Sequence, residues 1–367
     1  MDPKKIKDIL GKTILDRDDI LSLLSTDETQ QKSLFTVAND LKKREVGNKV
    51  FFRGLIEFSN ICAKDCLYCG IRRSNLNVTR YNLSDEEIID AAAYSYEQNY
   101  ASIVLQSGEI ASHTHTTRIE SLLKKIHQKT NGSLRVTLSL GEQSDETYKR
   151  WFDIGAQRYL IRIETTNSEL YKKIHPADDN HNFRSRRKAL ESLSKIGYQT
   201  GTGVMIGLPF QTIEDLADDL LFMQEFGIDM VGMGPYIEHK DTPLYKIRNQ
   251  LLPLTDRFYL ALKMISVLRL LMPKINIAAA TALQAIDKMG REKALMAGAN
   301  VIMPNITPGK YRDSYKLYDN KPCTNENADD CTPCLEARIG ITGNEIAYGE
   351  WGDSKFFQGR NNMSSDK

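Results

Sequence analysis

Residues 51–73 read FFRGLIEFSNICAKDCLYCGIRR, an apolar run of strand length followed at once by three closely spaced cysteines. The run predicts a strand over Phe51–Phe58. Seven further short apolar runs predict strands over Ser102–Gln106, Arg135–Leu140, Arg158–Ile163, Thr200–Ile206, Met230–Met233, Ile275–Ala280 and Asn300–Met303. Their starts lie on average about 36 residues apart, room for a strand, a helix and two loops. Helix start signals fill the gaps. Ser84-Asp85-Glu86-Glu87 has the form of a capping box, and Thr212-Ile213-Glu214-Asp215 opens an acidic first turn before Leu216, Leu220 and Leu221. Parallel neighbours need crossovers, so eight strand–helix units in a row predict an α/β fold, a TIM-type (β/α)8 barrel. An open doubly wound sheet is the alternative.

A barrel places functional groups just after the carboxyl ends of its strands. Those positions hold Cys62, Ser107-Gly108-Glu109, Ser139 with Glu142, Arg162 with Glu164, Gly207-Leu208-Pro209, Gly234-Pro235-Tyr236, Thr281 and Asn305. Polar residues collect at strand ends anyway, because these meet solvent, so Cys62 carries most of the weight. The barrel is expected to span residues 49–310. Residues 1–48 read as an amino-terminal helical extension, with an apolar stripe of Leu15, Ile20, Leu21 and Leu24 and a second amphipathic stretch over residues 30–44. Residues 311–367 form a polar, irregular, cysteine-bearing extension that ends in a loosely held tail.

Composition narrows the function classes. The 367 residues are 41% hydrophobic and 26% charged, which is globular. With 49 Lys and Arg against 48 Asp and Glu, the formal charge of +1 argues against a broad nucleic-acid surface. No apolar run reaches the length of a membrane span, and Lys263 and Arg269 break the most hydrophobic helix candidate. MDPKKIKDIL lacks the apolar centre and cleavage site of a signal peptide. A soluble, cytoplasmic protein is expected, with neither nucleic acid nor membrane as partner.

The six cysteines fall into two triads, Cys62, Cys66, Cys69 and Cys323, Cys331, Cys334. In a reducing compartment, clustered thiols bind metal or do redox work more often than they form disulfides. Three thiolates in a C-x3-C-x2-C loop can hold three irons of a [4Fe–4S] cluster and leave the fourth open. Structural zinc is the alternative. It needs four ligands, and the closest downstream histidine is His113.

This spacing, with Tyr68 before the last cysteine, is the signature of the radical S-adenosylmethionine (SAM) enzymes, which the chain resembles from about residue 50 to 310. Within them, IEFSNICAKDCLYCGIRR, VLQSGE, TLSLGE, RYLIRIETTNSELYKKIHP, VMIGLPFQT, DMVGMGPYI, DTPL and ANVIMPN look like the HydE maturases of [FeFe]-hydrogenases. Those belong to a group that includes biotin synthase and methylornithine synthase. The resemblance implies a catalytic [4Fe–4S] cluster on Cys62, Cys66 and Cys69 whose open iron chelates SAM. One electron then cleaves the sulfonium and releases a 5′-deoxyadenosyl radical. For the cofactor it implies Tyr68, Glu109 at the methionine ammonium, Arg186 at the methionine carboxylate, and Ser139 and Glu164 near the ribose. Read by themselves, Arg184, Arg186, Arg187 and Lys188 also fit a solvated helix face, and Glu164 could pair with Arg162.

For the substrate the resemblance implies a closed cavity lined by Arg162, Met230, Thr281 and Met303, with Tyr311 at the barrel mouth. Ordinary packing is the alternative for the methionines and for Tyr311, Tyr315 and Tyr318. Gly201-Thr202-Gly203-Val204-Met205-Ile206-Gly207 has one residue too many for a dinucleotide fingerprint and more simply lets the adenine approach the wall. His113 and His115 read as a polar surface loop. The second triad, C-x7-C-x2-C, implies a second iron–sulfur cluster, [2Fe–2S] or [4Fe–4S], in a supporting role. Zinc or unligated thiols remain open.

The match loosens at Ala280, where relatives carry the first of two threonines, and at Glu238-His239-Lys240. Both bear on substrate, not on reaction type. The expected function is a maturase acting on an iron-bound, cysteine-containing precursor of the hydrogenase diiron subsite. Its expected partners are a small-molecule or organometallic substrate, a one-electron donor such as ferredoxin or flavodoxin, and companion maturases. The alternatives are an amino-acid mutase of the methylornithine synthase type and a non-catalytic zinc scaffold.

Overall fold

The computed structural model describes the backbone of residues 3–323 and 328–365, and the side chains of residues 4–323 and 335–361. Its strands are β1 (Lys49–Phe52), β2 (Gly54–Ser59), β3 (Ser102–Ser107), β4 (Arg135–Ser139), β5 (Arg158–Leu160), β6 (Gln199–Thr202), β7 (Met205–Ile206), β8 (Met230–Val231), β9 (Gly234–Pro235), β10 (Asn276–Ile277), β11 (Val301–Ile302) and β12 (Glu345–Ile346). Seven of them form one curled sheet in the order β2-β3-β4-β5-β6-β8-β10. Every ladder is parallel. The ring then closes. Asn300 N–H reaches the Ile277 carbonyl and Ala279 N–H the Val301 carbonyl, both at 2.9 Å. On its other side β11 pairs with β1, Phe51 opposite Val301. All eight expected units are present, and the open sheet is excluded. β7 and β9 prolong β6 and β8 at the upper rim.

The two-residue strand period sorts the side chains. Ile56, Phe58, Ile103, Leu105, Val136, Leu138, Tyr159 and Ile161 join the core between strands and helices. The alternate residues, among them Arg53, Glu57, Gln106, Thr137, Ser139, Arg158 and Arg162, face the lumen. Helices begin where their caps were read. Ser84 and Thr212 both complete capping boxes. The helix Leu254–Leu271 is buried nearly all round, against the amino-terminal helices Arg17–Leu24 and Glu28–Glu45. Two of its cations serve as tethers. Arg269 donates to the carbonyls of Gly298, Pro273 and Ile275, and Lys263 to those of Leu24 and Thr26. Among the described residues, no helix is long and apolar enough to cross a membrane.

The carboxyl-terminal part differs from expectation. In place of an irregular stretch with a loose tail there are helices Ala328–Ile341 and Lys355–Ser365, and β12 pairs in parallel with β1. Between them, residues 351–354 stop the barrel's lower end. The guanidinium of Arg158, 1% exposed, pairs with Asp353 and donates to the Trp351 carbonyl at 2.6 Å and Ser102 Oγ at 2.9 Å. Gln199 also reaches Asp353, while Arg53 and Asn276 donate to the Gly352 carbonyl. Polar lumen residues drew no prediction of a plug because their partners lie about 75–300 residues away in sequence. Asp353→Ala strands the buried Arg158 and should cost about 3–5 kcal/mol in urea unfolding. A loss under about 1 kcal/mol, the size of a surface pair, would show that the plug does not hold the base.

Candidate functional site

After β2 the chain crosses the upper rim as the cysteine loop. Asn60 fixes its start, donating to the Thr79 and Ser314 carbonyls at 2.8 and 2.7 Å and accepting Tyr81 N–H at 2.8 Å. Ala63 N–H donates to the Glu109 carbonyl at 2.9 Å, Leu67 N–H to that of Ile174 at 3.0 Å, and Gly70 N–H to that of Leu317 at 2.9 Å. At Gly70 a Cβ would stand 2.2 Å from the Lys316 carbonyl oxygen and 2.4 Å from His239 Cδ2, so only glycine fits. Asp65 ties the loop's far side by accepting from Ser74 N, Ser74 Oγ and Arg72. Its own N–H donates to His181 Nε2 at 2.9 Å, and the other ring nitrogen of His181 faces Asp178 at 2.6 Å. His181 is therefore an acceptor at Nε2, with its proton on Nδ1.

Cys66 is buried, and Cys62 and Cys69 are half-buried. Burial first, and then the charge of Glu109, pushes the Cys66 thiol up to about 12. Burial and the other two sulfurs push Cys69 well up, and burial with Glu109 raises Cys62. Three thiols held this way ionise only beside a cationic centre, which is the condition an iron–sulfur cluster supplies. Cys62 Sγ already accepts from Lys64 N–H at 3.4 Å and Glu109 N–H at 3.3 Å, as cluster thiolates do. Among the described residues, no three His, Cys, Asp or Glu side chains surround one point as a single zinc ion requires. The donor set fits a cluster.

Charged pairs stand around the loop. Arg186, buried while Arg184, Arg187 and Lys188 are exposed, forks onto Glu109 with Nη1–Oε2 2.9 Å and Nη2–Oε1 2.7 Å. Glu142 lies 3.4 Å from Arg186 and 2.8 Å from Lys64. Burial works against the Glu109 carboxylate, yet Arg186 and Lys64 hold it below its ordinary range. Glu164 does pair with Arg162, at 2.8 and 2.9 Å, and Arg162 also reaches the Val204 and Gly232 carbonyls. Glu164 adopts φ +64, a left-handed conformation uncommon outside glycine. The Tyr68 hydroxyl is 3.3 Å from His175 Nε2, and burial brings His175 down to about 3, so it accepts as the neutral ring.

The structure thus gathers Cys62, Cys66, Cys69, Tyr68, Glu109, Arg162, Glu164 and Arg186 at one rim, with Ser139 at the end of β4 beside Gln106. Met303 follows β11. Thr281 opens the helix Thr281–Ile286, whose N-cap Ala280 offers no side-chain acceptor. Two expected residues lie elsewhere. Met230, at the amino end of β8, sets its sulfur 3.0 Å from Arg53 towards the base. Tyr311 stacks on Tyr81 and donates to Glu87, while Tyr315, 1% exposed, takes the inner position and accepts from Gln106. His113 and His115 open a helix, where His115 stacks on Phe58 in place of a surface loop. Gly203 lies where a Cβ would be 1.9 Å from the Gly232 carbonyl oxygen, and no helix follows the glycine run directly. Cys323 is half-buried. The side chains of Cys331 and Cys334 lie outside the described residues. Sequence reading missed Asp65, His175, His181 and Glu57. Only Glu57 carried a signal, a carboxylate set between Ile56 and Phe58 in a strand. Two cavities, of about 750 and 430 Å³, open at the amino-terminal helices and the base, away from the triad.

A closed parallel barrel with three rim cysteines and a buried carboxylate–arginine fork is the architecture of a radical SAM enzyme, and residues 56–223 match the Radical SAM superfamily model. The chain is 43% identical over 334 residues to the [FeFe] hydrogenase maturase subunit HydE of Thermotoga maritima, covering 91% of this chain and 92% of that protein. It belongs to the radical SAM superfamily and, within it, to the HydE family. The 3-methylornithine synthase of Methanosarcina acetivorans is 28% identical over 83% of each chain. The crystal structure of methylornithine synthase (PylB) superposes with TM-score 0.78 at 26% identity, covering 95% of this chain and 97% of that one. The maturase HydG from Carboxydothermus hydrogenoformans shares the fold, with TM-score 0.79 at 19% identity over 96% and 82% of the two chains. Membership implies a [4Fe–4S] cluster, SAM, a small-molecule substrate and an electron donor.

The Glu164 turn is braced from behind. Asp219, fully buried on the helix Ile213–Phe226, accepts from Thr166 N and Oγ1 at 2.6 and 2.7 Å, and its Oδ2 has no partner. Burial raises this carboxyl to about 7 from 3.8, so the folded protein keeps a proton that the unfolded chain releases. Its contribution to stability is full below about pH 4 and is lost as pH rises through about 7. Asp219→Asn should remove that slope. Thermal midpoints taken from pH 4 to 8 should converge on wild type at the acid end and exceed it at the alkaline end, and parallel curves would reject the assignment.

Proposed function

We propose that this chain is a HydE-type maturase that processes an iron-bound, cysteine-containing precursor during assembly of the [FeFe]-hydrogenase diiron subsite. The observation that carries the proposal is the cysteine loop set against the Glu109–Arg186 fork, in a chain 43% identical to a HydE. Cys62, Cys66 and Cys69 would hold the cluster. Arg186 and Glu109 would part to take the carboxylate and ammonium of SAM, each charge exchanging one buried partner for another. Tyr68, Ser139 and Glu164 would hold the adenosyl end. Arg162, Thr281 and Met303 would face the substrate, with Tyr315 in the inner position expected of Tyr311. When bound, the cluster supplies the electron that cleaves SAM to a 5′-deoxyadenosyl radical. What the protein adds is orientation and a lumen stopped at its base, which keeps water from a reactive intermediate.

Cys323, Cys331 and Cys334 would carry a second cluster, [2Fe–2S] or [4Fe–4S], in support. The reading places the enzyme in an anaerobic cytoplasm, with ferredoxin or flavodoxin as electron donor and companion maturases on either side. A second reading, a mutase acting on an amino acid, is favoured by the methylornithine synthase superposition.

Anaerobic reconstitution with iron and sulfide should give a protein that cleaves SAM under dithionite, and Cys66→Ala should reduce cleavage to background. Intact cleavage in Cys66→Ala would sink the proposal. Incubation with lysine and related amino acids, followed by a search for rearranged product, separates the mutase.

A further inference from the structure

A charged layer crosses the lumen just inside the cysteine loop. Glu57, 2% exposed, sits on β2 between Ile56 and Phe58, both of which face the helices. Its Oε1 is 2.5 Å from Lys321 Nζ, and its Oε2 accepts from Asn305 Nδ2 at 3.0 Å. Lys321 is 7% exposed and comes from the segment after the barrel. It donates to the Tyr315 carbonyl at 2.9 Å and lies 5.0 Å over that ring. Asn320 and Cys323 flank Lys321 and Pro322 with φ of +57 and +63. Such left-handed residues persist where the surrounding structure dictates the turn, and here the turn drives Lys321 inward. The lumen also holds an unmet group. Thr137 is 2% exposed, and its Oγ1 has no partner. Gly203 and Gly232, just after β6 and β8, leave room in the wall for the Arg162 guanidinium.

An ion pair sealed in a barrel is a poor way to gain stability, since aliphatic side chains of similar volume do as well or better. It is well suited to exchange. An α-amino acid unit brings a carboxylate for Lys321 and N–H donors for Glu57, so its entry replaces one ion pair with two contacts and strands neither charge. A purely anionic or purely cationic ligand would leave Glu57 or Lys321 buried without a countercharge, which is how a site rejects it.

The geometry points to Glu57 and Lys321 as the pair that recognises the substrate, reading the amino nitrogen and the carboxylate of an α-amino acid unit, free or bound to metal through its other atoms. This rests on the radical SAM reading above and deepens it. It also makes the segment after the barrel part of the substrate site.

The test uses the anaerobically reconstituted full-length protein and three probes without a free thiol: S-methyl-L-cysteine, 3-(methylthio)propionate and 2-(methylthio)ethylamine. Calorimetry should show wild type binding the amino acid roughly tenfold or more tighter than either analogue. Lys321→Met should bring its affinity down to that of the amine, and Glu57→Gln to that of the propionate. Asn305→Ala removes a donor from Glu57 without unpairing a charge, and because the propionate then offers Glu57 nothing in exchange, discrimination against the propionate alone should sharpen even if the charge variants do not fold. Equal affinities for all three probes in wild type, or a preference unmoved in every folded variant, would overturn the inference and leave the pair as a structural latch. Dithionite-driven SAM cleavage in the same preparation keeps the two readings apart. Cleavage without probe selectivity defeats this inference alone, whereas absence of cleavage defeats the radical SAM reading.

Discussion

Everything in this molecule depends on closing a parallel sheet into a ring. Parallel strands cannot be joined by hairpins, so each return journey is made by a helix outside the ring, and all strands deliver their carboxyl ends to one rim. The cysteine loop, Glu109, Ser139, Arg162 with Glu164, and Asn305 meet there from five different strands because the topology leaves them no other place. Closure itself rests on β1 and β2 being one strand broken at Arg53. The first part pairs with β11 and the second with β3, and the break turns Arg53 into the base.

A second constraint follows from the first. Closing the ring buries charged side chains in the lumen, and buried charge is tolerated only when paired or richly hydrogen-bonded. At the base, Arg158 and Arg53 are met by the segment around Gly352 and Asp353. At the rim, Arg186 is met by Glu109, Arg162 by Glu164, and Lys321 by Glu57. Between the two layers the lumen is lined by Leu55, Val104 and Leu160. The near-zero net charge of the chain therefore conceals strong local fields, placed where a zwitterionic cofactor and substrate would have to part oppositely charged side chains.

Much of this was legible in the sequence because it rests on local signals. Strand period, the capping box at Ser84, the helix start at Thr212 and the spacing of Cys62, Cys66 and Cys69 are all set within a few residues, and the helices begin where they were read. Strand ends were overrun at Ile163 and Ala280, because near the rim the backbone turns to serve side-chain partners, as at Glu164. The basic run at Arg184–Lys188 reads equally as surface from composition alone. Arg186 differs from its neighbours only because the helix aims it at Glu109, 77 residues away. His181 and Asp65 gave no signal, since the bond that joins them spans 116 residues.

By itself, then, the sequence determined the eight-unit barrel, the cysteine loop at its rim and the class of chemistry that loop performs. These depend on period, caps and short spacings, which the backbone obeys locally. The tertiary structure alone decided which charges are buried together, that Tyr315 and not Tyr311 faces inward, that the carboxyl-terminal segment stops the base, and that Lys321 enters the lumen opposite Glu57. Apart from the neighbours Arg162 and Glu164, those are contacts across about 75 to 300 residues, fixed by the requirement that every charge taken from water find a partner wherever the fold brings one near.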